Sequence, residues 1–154
     1  MKKIKVIIDL WVGRFLVLLL STMVLNVLWQ VFTRFFTDSP SSFTDELARY
    51  LMIWLGILGA AFVAGKNEHV AIDVLVQRAS PKMKRLIKKI SALSILGFAL
   101  FGMVLGGGRL VFITFKLGQF SPALQIPLAI VYAIIPISGM LIVFYKLTPL
   151  QSNQ

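Results

Sequence analysis

Four sets of side chains in this 154-residue sequence have types and spacing that bear on chemistry. Asp45, Glu46 and Arg49 stand together, with Arg34 a short loop upstream. Arg49 is i+4 from Asp45 and i+3 from Glu46, which suits an intrahelical pair. Arg34 reaches the same acids if the loop closes a hairpin. One reading is an interfacial salt bridge that closes that hairpin; the other is a docking patch for a partner. His69, Asp73 and Gln77 share one stripe of a short, one-sided helix that lies in the membrane interface. Lys82, Lys84, Arg85, Lys88 and Lys89 surround the apolar face of Met83, Leu86, Ile87 and Ile90. Such a basic turn holds anionic lipid headgroups at about 1 kcal/mol per base. Thr22, Asn26 and Gln30 recur at i, i+4 and i+8, on one helical face. In lipid, that face is expected to hydrogen-bond across helices.

Much chemistry is missing. The chain has no cysteine, which excludes disulfides, thiol catalysis and thiolate metal sites. A single histidine argues against a histidine metal site, so no metal and no cofactor is expected. Gly106-Gly107-Gly108 is not followed by Gly-Lys-Ser/Thr and is no phosphate loop; close helix approach or a local bend is expected there. No acid lies at the centre of an apolar run, where a proton-coupled carrier usually needs one. No carboxylate pair stands with a base, so the chain is not expected to be an enzyme. The net charge of +10 suggests nucleic acid, but the bases gather at the edges of apolar runs. There they set topology and meet lipid, so nucleic acid is not an expected partner.

The elements that must position these groups are membrane helices. The chain is 58% hydrophobic and only 14% charged, against about a quarter charged in soluble domains. The reading is an all-α membrane protein of one domain, 1–154, with four transmembrane helices and interfacial amphipathic segments. Crossings are placed at roughly 10–36, 43–65, 86–116 and 124–146, with an amphipathic interfacial segment at roughly 67–89. Phe15–Thr33 is nineteen uncharged residues, long for a signal peptide, and Ser21-Thr22-Met23 is a poor cleavage match. Tyr50–Gly65 adds sixteen, extended by Phe43–Arg49 to the roughly 30 Å of a bilayer core. Ser80-Pro81 reads as an N-cap followed by proline at the first helical position. Ile90–Gly108 is again uncharged, with Arg109 near the far end of a long third helix. Pro136 should kink the fourth, because it cannot donate to the carbonyl of Tyr132. Lys2, Lys3 and Lys5 mark one end, and seven bases lie between Lys66 and Lys89, two crossings later. The positive-inside rule puts both on the cytoplasmic side, with both termini. The Arg34–Arg49 hairpin and the Lys116–Pro127 loop then face outward.

A resemblance emerges from the motifs in order. Arg34-Phe35-Phe36, Thr44-Asp45-Glu46-Leu47-Ala48-Arg49-Tyr50, Trp54, Gly59-Ala60-Ala61 and Glu68-His69-Val70-Ala71-Ile72-Asp73 follow one another. Ser121-Pro122-Ala123-Leu124, Pro127, Val131-Tyr132 and Ile135-Pro136-Ile137 come after them. Together they resemble the small membrane subunit of TRAP transporters, the DctQ-like family. The resemblance spans nearly the whole chain and is weakest in the third helix; Lys66-Asn67 stands where the family often has a more basic turn. It implies a bacterial inner-membrane, sodium-driven uptake system for an organic acid, of the sialic acid or C4-dicarboxylate class. A periplasmic substrate-binding protein captures the acid, and a large membrane subunit carries the substrate and sodium sites. The small subunit braces the large one in a stable complex and helps dock the binding protein transiently. The rivals read from the residues alone are a self-contained homodimeric exporter and a lipid-modifying enzyme.

Overall fold

In a bilayer, runs this apolar can satisfy their backbone groups only as helices or closed barrels, and the chain forms helices. The computed structural model describes residues 2–36, 42–65 and 81–147, and of Lys2, Pro81 and Lys88 the backbone alone. Helix α1 is Lys2–Phe36, unbroken over 35 residues. At 1.5 Å per residue it is about 52 Å long, well over the bilayer core. It therefore begins well ahead of the expected crossing, and its first turns are used in contacts described below. Helix α2 is Ser42–Gly65. A third rod follows in three pieces: α3 (Pro81–Gly97), a π-helical stretch Phe98–Gly106, and α4 (Gly107–Lys116). The fourth is α5 (Leu128–Tyr132) and α6 (Ile134–Leu147). Among the described residues four helices, Lys3–Phe36, Ser42–Gly65, Lys82–Lys116 and Leu128–Leu147, are long and apolar enough to cross a membrane. The molecule is an all-α, multi-pass membrane protein.

Local chemistry explains the boundaries. Pro81 opens α3 at the position where its missing N–H costs nothing. Lys82–Lys89 forms the first turns of α3, continuous with the long apolar helix that follows. His69 and Asp73, and most of the expected interfacial segment, lie outside the described residues. Helix α4 is closed off by Gly118, two residues past its end, whose φ of +59° is the left-handed region glycine enters freely. Gly118 N–H donates to Phe115 O at 3.1 Å and Gln119 N–H to Thr114 O at 3.2 Å, a Schellman closure. The fourth long helix begins at Leu128, because residues 121–126 form a closed turn ahead of it. It breaks at Ala133, three residues before Pro136, where the proline ring leaves the Tyr132 carbonyl without its donor. Beside this break the indole N–H of Trp54, on α2, donates to Val131 O at 3.0 Å.

The rods pack in the order first, second, fourth, third. The fourth long helix is the most buried of the four described, so it is the centre. Leu19, Leu58 and Ile134 form one buried cluster, and Ala61, Ala64, Ala99 and Ile142 another. The second cluster depends on close approach. A Cβ at Gly139 would stand 2.7 Å from Met103 Cβ and 3.1 Å from the Ala99 carbonyl oxygen of the π-helical stretch. Of the triplet Gly106–Gly108, Gly107 alone is pressed against another helix, where a Cβ would meet Ile135 Cγ2 at 2.7 Å.

Candidate functional site

The end where α1 meets α2 holds the acids picked out in the sequence. Between α4 and α5 the chain folds back on itself. Ser121 N–H donates to Ile126 O at 2.9 Å, Gln125 N–H to Ser121 O at 3.1 Å, and Leu128 N–H to Gln119 O at 2.9 Å. Gln125 takes a left-handed φ of +54°, unusual for a side-chain-bearing residue, and its Nε2 donates to Pro122 O at 3.0 Å. The turn leaves the N–H groups of Ala123 and Leu124 without a backbone partner of their own. Both donate to Glu46 Oε2, at 2.8 and 2.9 Å. The Tyr50 hydroxyl, one turn along α2, donates to Glu46 Oε1 at 2.6 Å. Glu46 is 7% exposed. It is a clamp that ties the start of α2 to the entry of the fourth crossing.

One residue back, Asp45 faces the other way. It accepts from Arg49 Nη2 at 3.1 Å, with the Asp45 and Arg49 side chains 61% and 69% exposed. At that exposure the pair contributes about 0–1 kcal/mol. Arg34 is exposed and, among the described residues, makes no ion pair with either acid. The structure thus brings Asp45 and Arg49 together, turns Glu46 inward, and leaves Arg34 apart. Gln30, Ser42, Asp45, Glu46, Arg49, Pro122 and Ala123 line an open groove of about 640 Å³ beside the clamp. Of the polar stripe on α1, Asn26 is buried and donates to the Thr44 carbonyl of α2 at 2.8 Å. Thr22 instead donates to its own helix, at Leu18 O, and is exposed.

A second junction, at the opposite end, was missed in the sequence. Lys5 Nζ donates to Gly65 O at 3.1 Å and sits 5.5 Å over the Tyr145 ring. The Tyr145 hydroxyl donates to Asp9 Oδ1 at 2.6 Å. A Cβ at Gly65 would lie 2.5 Å from that ring, so α6 closes onto α2 only over glycine. The available signal was Lys5 and Asp9 at i, i+4, which places both on one face of the overlong α1. On α3, Lys82, Arg85 and Lys89 are exposed and Lys84 is half-buried.

Glu46, Asn26 and Asp9 hold the chain's own helices and backbone. The four long apolar helices and the two polar junctions that join them define a helical membrane protein. The chain belongs to the family of tripartite ATP-independent periplasmic transporters, DctQ component, which it matches over residues 23–150. It is 30% identical over 135 residues to a Haemophilus influenzae protein named as a TRAP transporter small permease, covering 88% of this chain and 82% of that one. It is 32% identical over 103 residues to the C4-dicarboxylate TRAP transporter small permease protein DctQ of Rhodobacter capsulatus, covering 65% and 44%. It is 27% identical over 66 residues to the sialic acid TRAP transporter small permease protein SiaQ of Vibrio cholerae, covering 43% and 38%. The chain is a small TRAP permease subunit.

Proposed function

We propose that this subunit is the accessory scaffold of a sodium-driven, binding-protein-dependent importer of an organic acid. It braces a large membrane subunit in a stable complex and helps dock a periplasmic substrate-binding protein. The substrate is a carboxylic acid of the sialic acid or C4-dicarboxylate class, the two chemistries its relatives' names carry. The protein sits in the bacterial inner membrane with both termini in the cytoplasm, and the Glu46 end faces the periplasm.

The observation that carries this reading is the division of labour at that end. Glu46 is fully engaged in holding two helix entries and a turn. The turn is thereby fixed next to exposed Asp45 and Arg49 and the groove. A rigid charged rim suits a transient protein partner, for which rim charges steer encounter more than they add affinity. At the other face the basic side chains of Lys82, Lys84, Arg85 and Lys89 would meet lipid headgroups.

Co-expression with a large TRAP membrane subunit tests the proposal. The two should purify together, and vesicles holding both should take up a sialate or C4-dicarboxylate with sodium only when the binding protein is added. Asp45→Ala with Arg49→Ala should weaken binding-protein capture while leaving the shape of the sodium titration unchanged. Sodium-dependent uptake by this chain alone would overturn the scaffold reading.

A further inference from the structure

An apolar groove of about 600 Å³ runs along the side of the molecule, between α2, α6 and the third rod. Gly56 and Ala60 form its floor, and Ser94, Ile95, Phe98 and Ile142 its walls. It is separate from the Glu46 end. No atom lies within 4 Å of a Cβ built on Gly56, so the floor is open space.

The third rod links this groove to charge. Lys84, Ile87, Ser91, Ile95 and Phe98 follow at intervals of three and four residues, one stripe of a helix. Lys84, Ile87 and Ser91 are half-buried along it, while Lys82, Arg85 and Lys89 beside them are exposed. From Val74 to the last residue the chain contains no acid. The described acids are held elsewhere: Asp9 by Tyr145, Asp45 by Arg49, and Glu46 by Tyr50 and the loop backbone. An apolar slot therefore continues, on one face, into a cluster of bases that no described acid meets.

We infer that this face is a binding site for one anionic phospholipid, with its phosphate at the Lys84 turn and an acyl chain laid past Ile87 and Ser91 into the Gly56–Ala60 groove. The lengths agree. Lys84 to Phe98 is about 21 Å along the helix. A leaflet is about half of the roughly 30 Å core, plus about 6 Å of headgroup region. A phospholipid carries its anion at one end and its chain at the other, as this stripe requires. A helix from another protein would fill the slot but leave Lys84 without an anion unless it brought an acid to that level. The inference rests on the membrane-face reading of Lys82–Lys89, and not on the scaffold function.

Native mass spectrometry of the full chain in neutral detergent, titrated with dioleoyl phosphatidylglycerol or dioleoyl phosphatidylcholine, tests it. One phosphatidylglycerol should be retained, with a preference of about ten-fold over phosphatidylcholine, the ratio that 1.4 kcal/mol corresponds to. Lys84→Gln should bring that preference close to parity, and Lys89→Gln should leave most of it. Gly56→Leu grows into open space, so the fold should persist, as helicity and melting will show, while retention of both lipids falls several-fold. Equal retention of the two lipids by the unaltered chain overturns the proposal. So does a Gly56→Leu variant that keeps its lipid but loses capture of another membrane subunit, which would make the groove a protein interface. Failure of the chain to capture a large subunit at all would count against the scaffold function and leave this readout unchanged.

Discussion

Asp45 and Glu46 are neighbours of the same chemistry with opposite fates. Successive residues on a helix point about 100° apart, so one faces the turn and the other faces outward. Glu46→Ala leaves the Ala123 and Leu124 N–H groups and the Tyr50 hydroxyl without their acceptor. The expected cost to the isolated chain is about 1–3 kcal/mol, since unmade bonds of partly buried groups carry their desolvation penalty. Asp45→Ala should cost less than about 1 kcal/mol. Reversible unfolding in mixed micelles compares the two, and equal losses would contradict the clamp. Ser138 offers the opposite case. Its hydroxyl is fully buried among the described residues with no hydrogen-bond partner. Ser138→Ala should therefore raise stability by about 1 kcal/mol in the same assay.

At the scale of elements, the third and fourth rods touch through absent side chains. Gly139 allows the Ala99 carbonyl and Met103 to approach. Gly139→Ala should force the rods apart and cost about 1–3 kcal/mol, because the obstructing atoms include backbone. Gly108→Ala, with nothing within 4 Å of the added carbon, should stabilise by up to about 1 kcal/mol through helix propensity. Thermal melting in detergent separates the pair, and a Gly139→Ala protein as stable as the parent would show the contact to be dispensable. At the far end of α1, Trp29, Phe32 and Phe36 stack at ring distances of 6.0 and 4.4 Å, all strongly exposed. Aromatic rings there suit the membrane interface.

For the whole molecule, the open row of helices exposes large apolar residues along all four crossings, from Trp11 and Leu18 to Phe98, Phe115 and Met140. Lipid would cover such a surface, and on the proposed function a large membrane partner would cover part of it. The proposed orientation rests on charge and is open to a direct test. In spheroplasts, a cysteine introduced at Ser41 should react with an impermeant thiol reagent, and one at Ser80 should be protected. The reverse pattern would invert the protein in the membrane. The parent has no cysteine, so each label reports a single site.

The sequence by itself determined the class of protein: four apolar runs, helical because a bilayer offers the backbone no other donor or acceptor, punctuated by Pro81 and Pro136. It also carried the motif order of the family, and the two polar positions Asn26 and Glu46 that later proved to join elements. What it could not decide was which partner each group takes. Arg49 and Arg34 both competed for the same acids on spacing alone, and the backbone that in fact holds Glu46 was not a candidate. The loop backbone holds Glu46 because Ser121–Ile126 closes into a turn whose free N–H groups lie 77 and 78 residues away in sequence. The Asp9–Tyr145 bond, 136 residues apart, was equally invisible. Local periodicity reports the face on which a side chain sits. The neighbour of that face is set by the packing order of the rods, which puts the fourth helix between the second and the third and brings distant polar atoms within bonding distance.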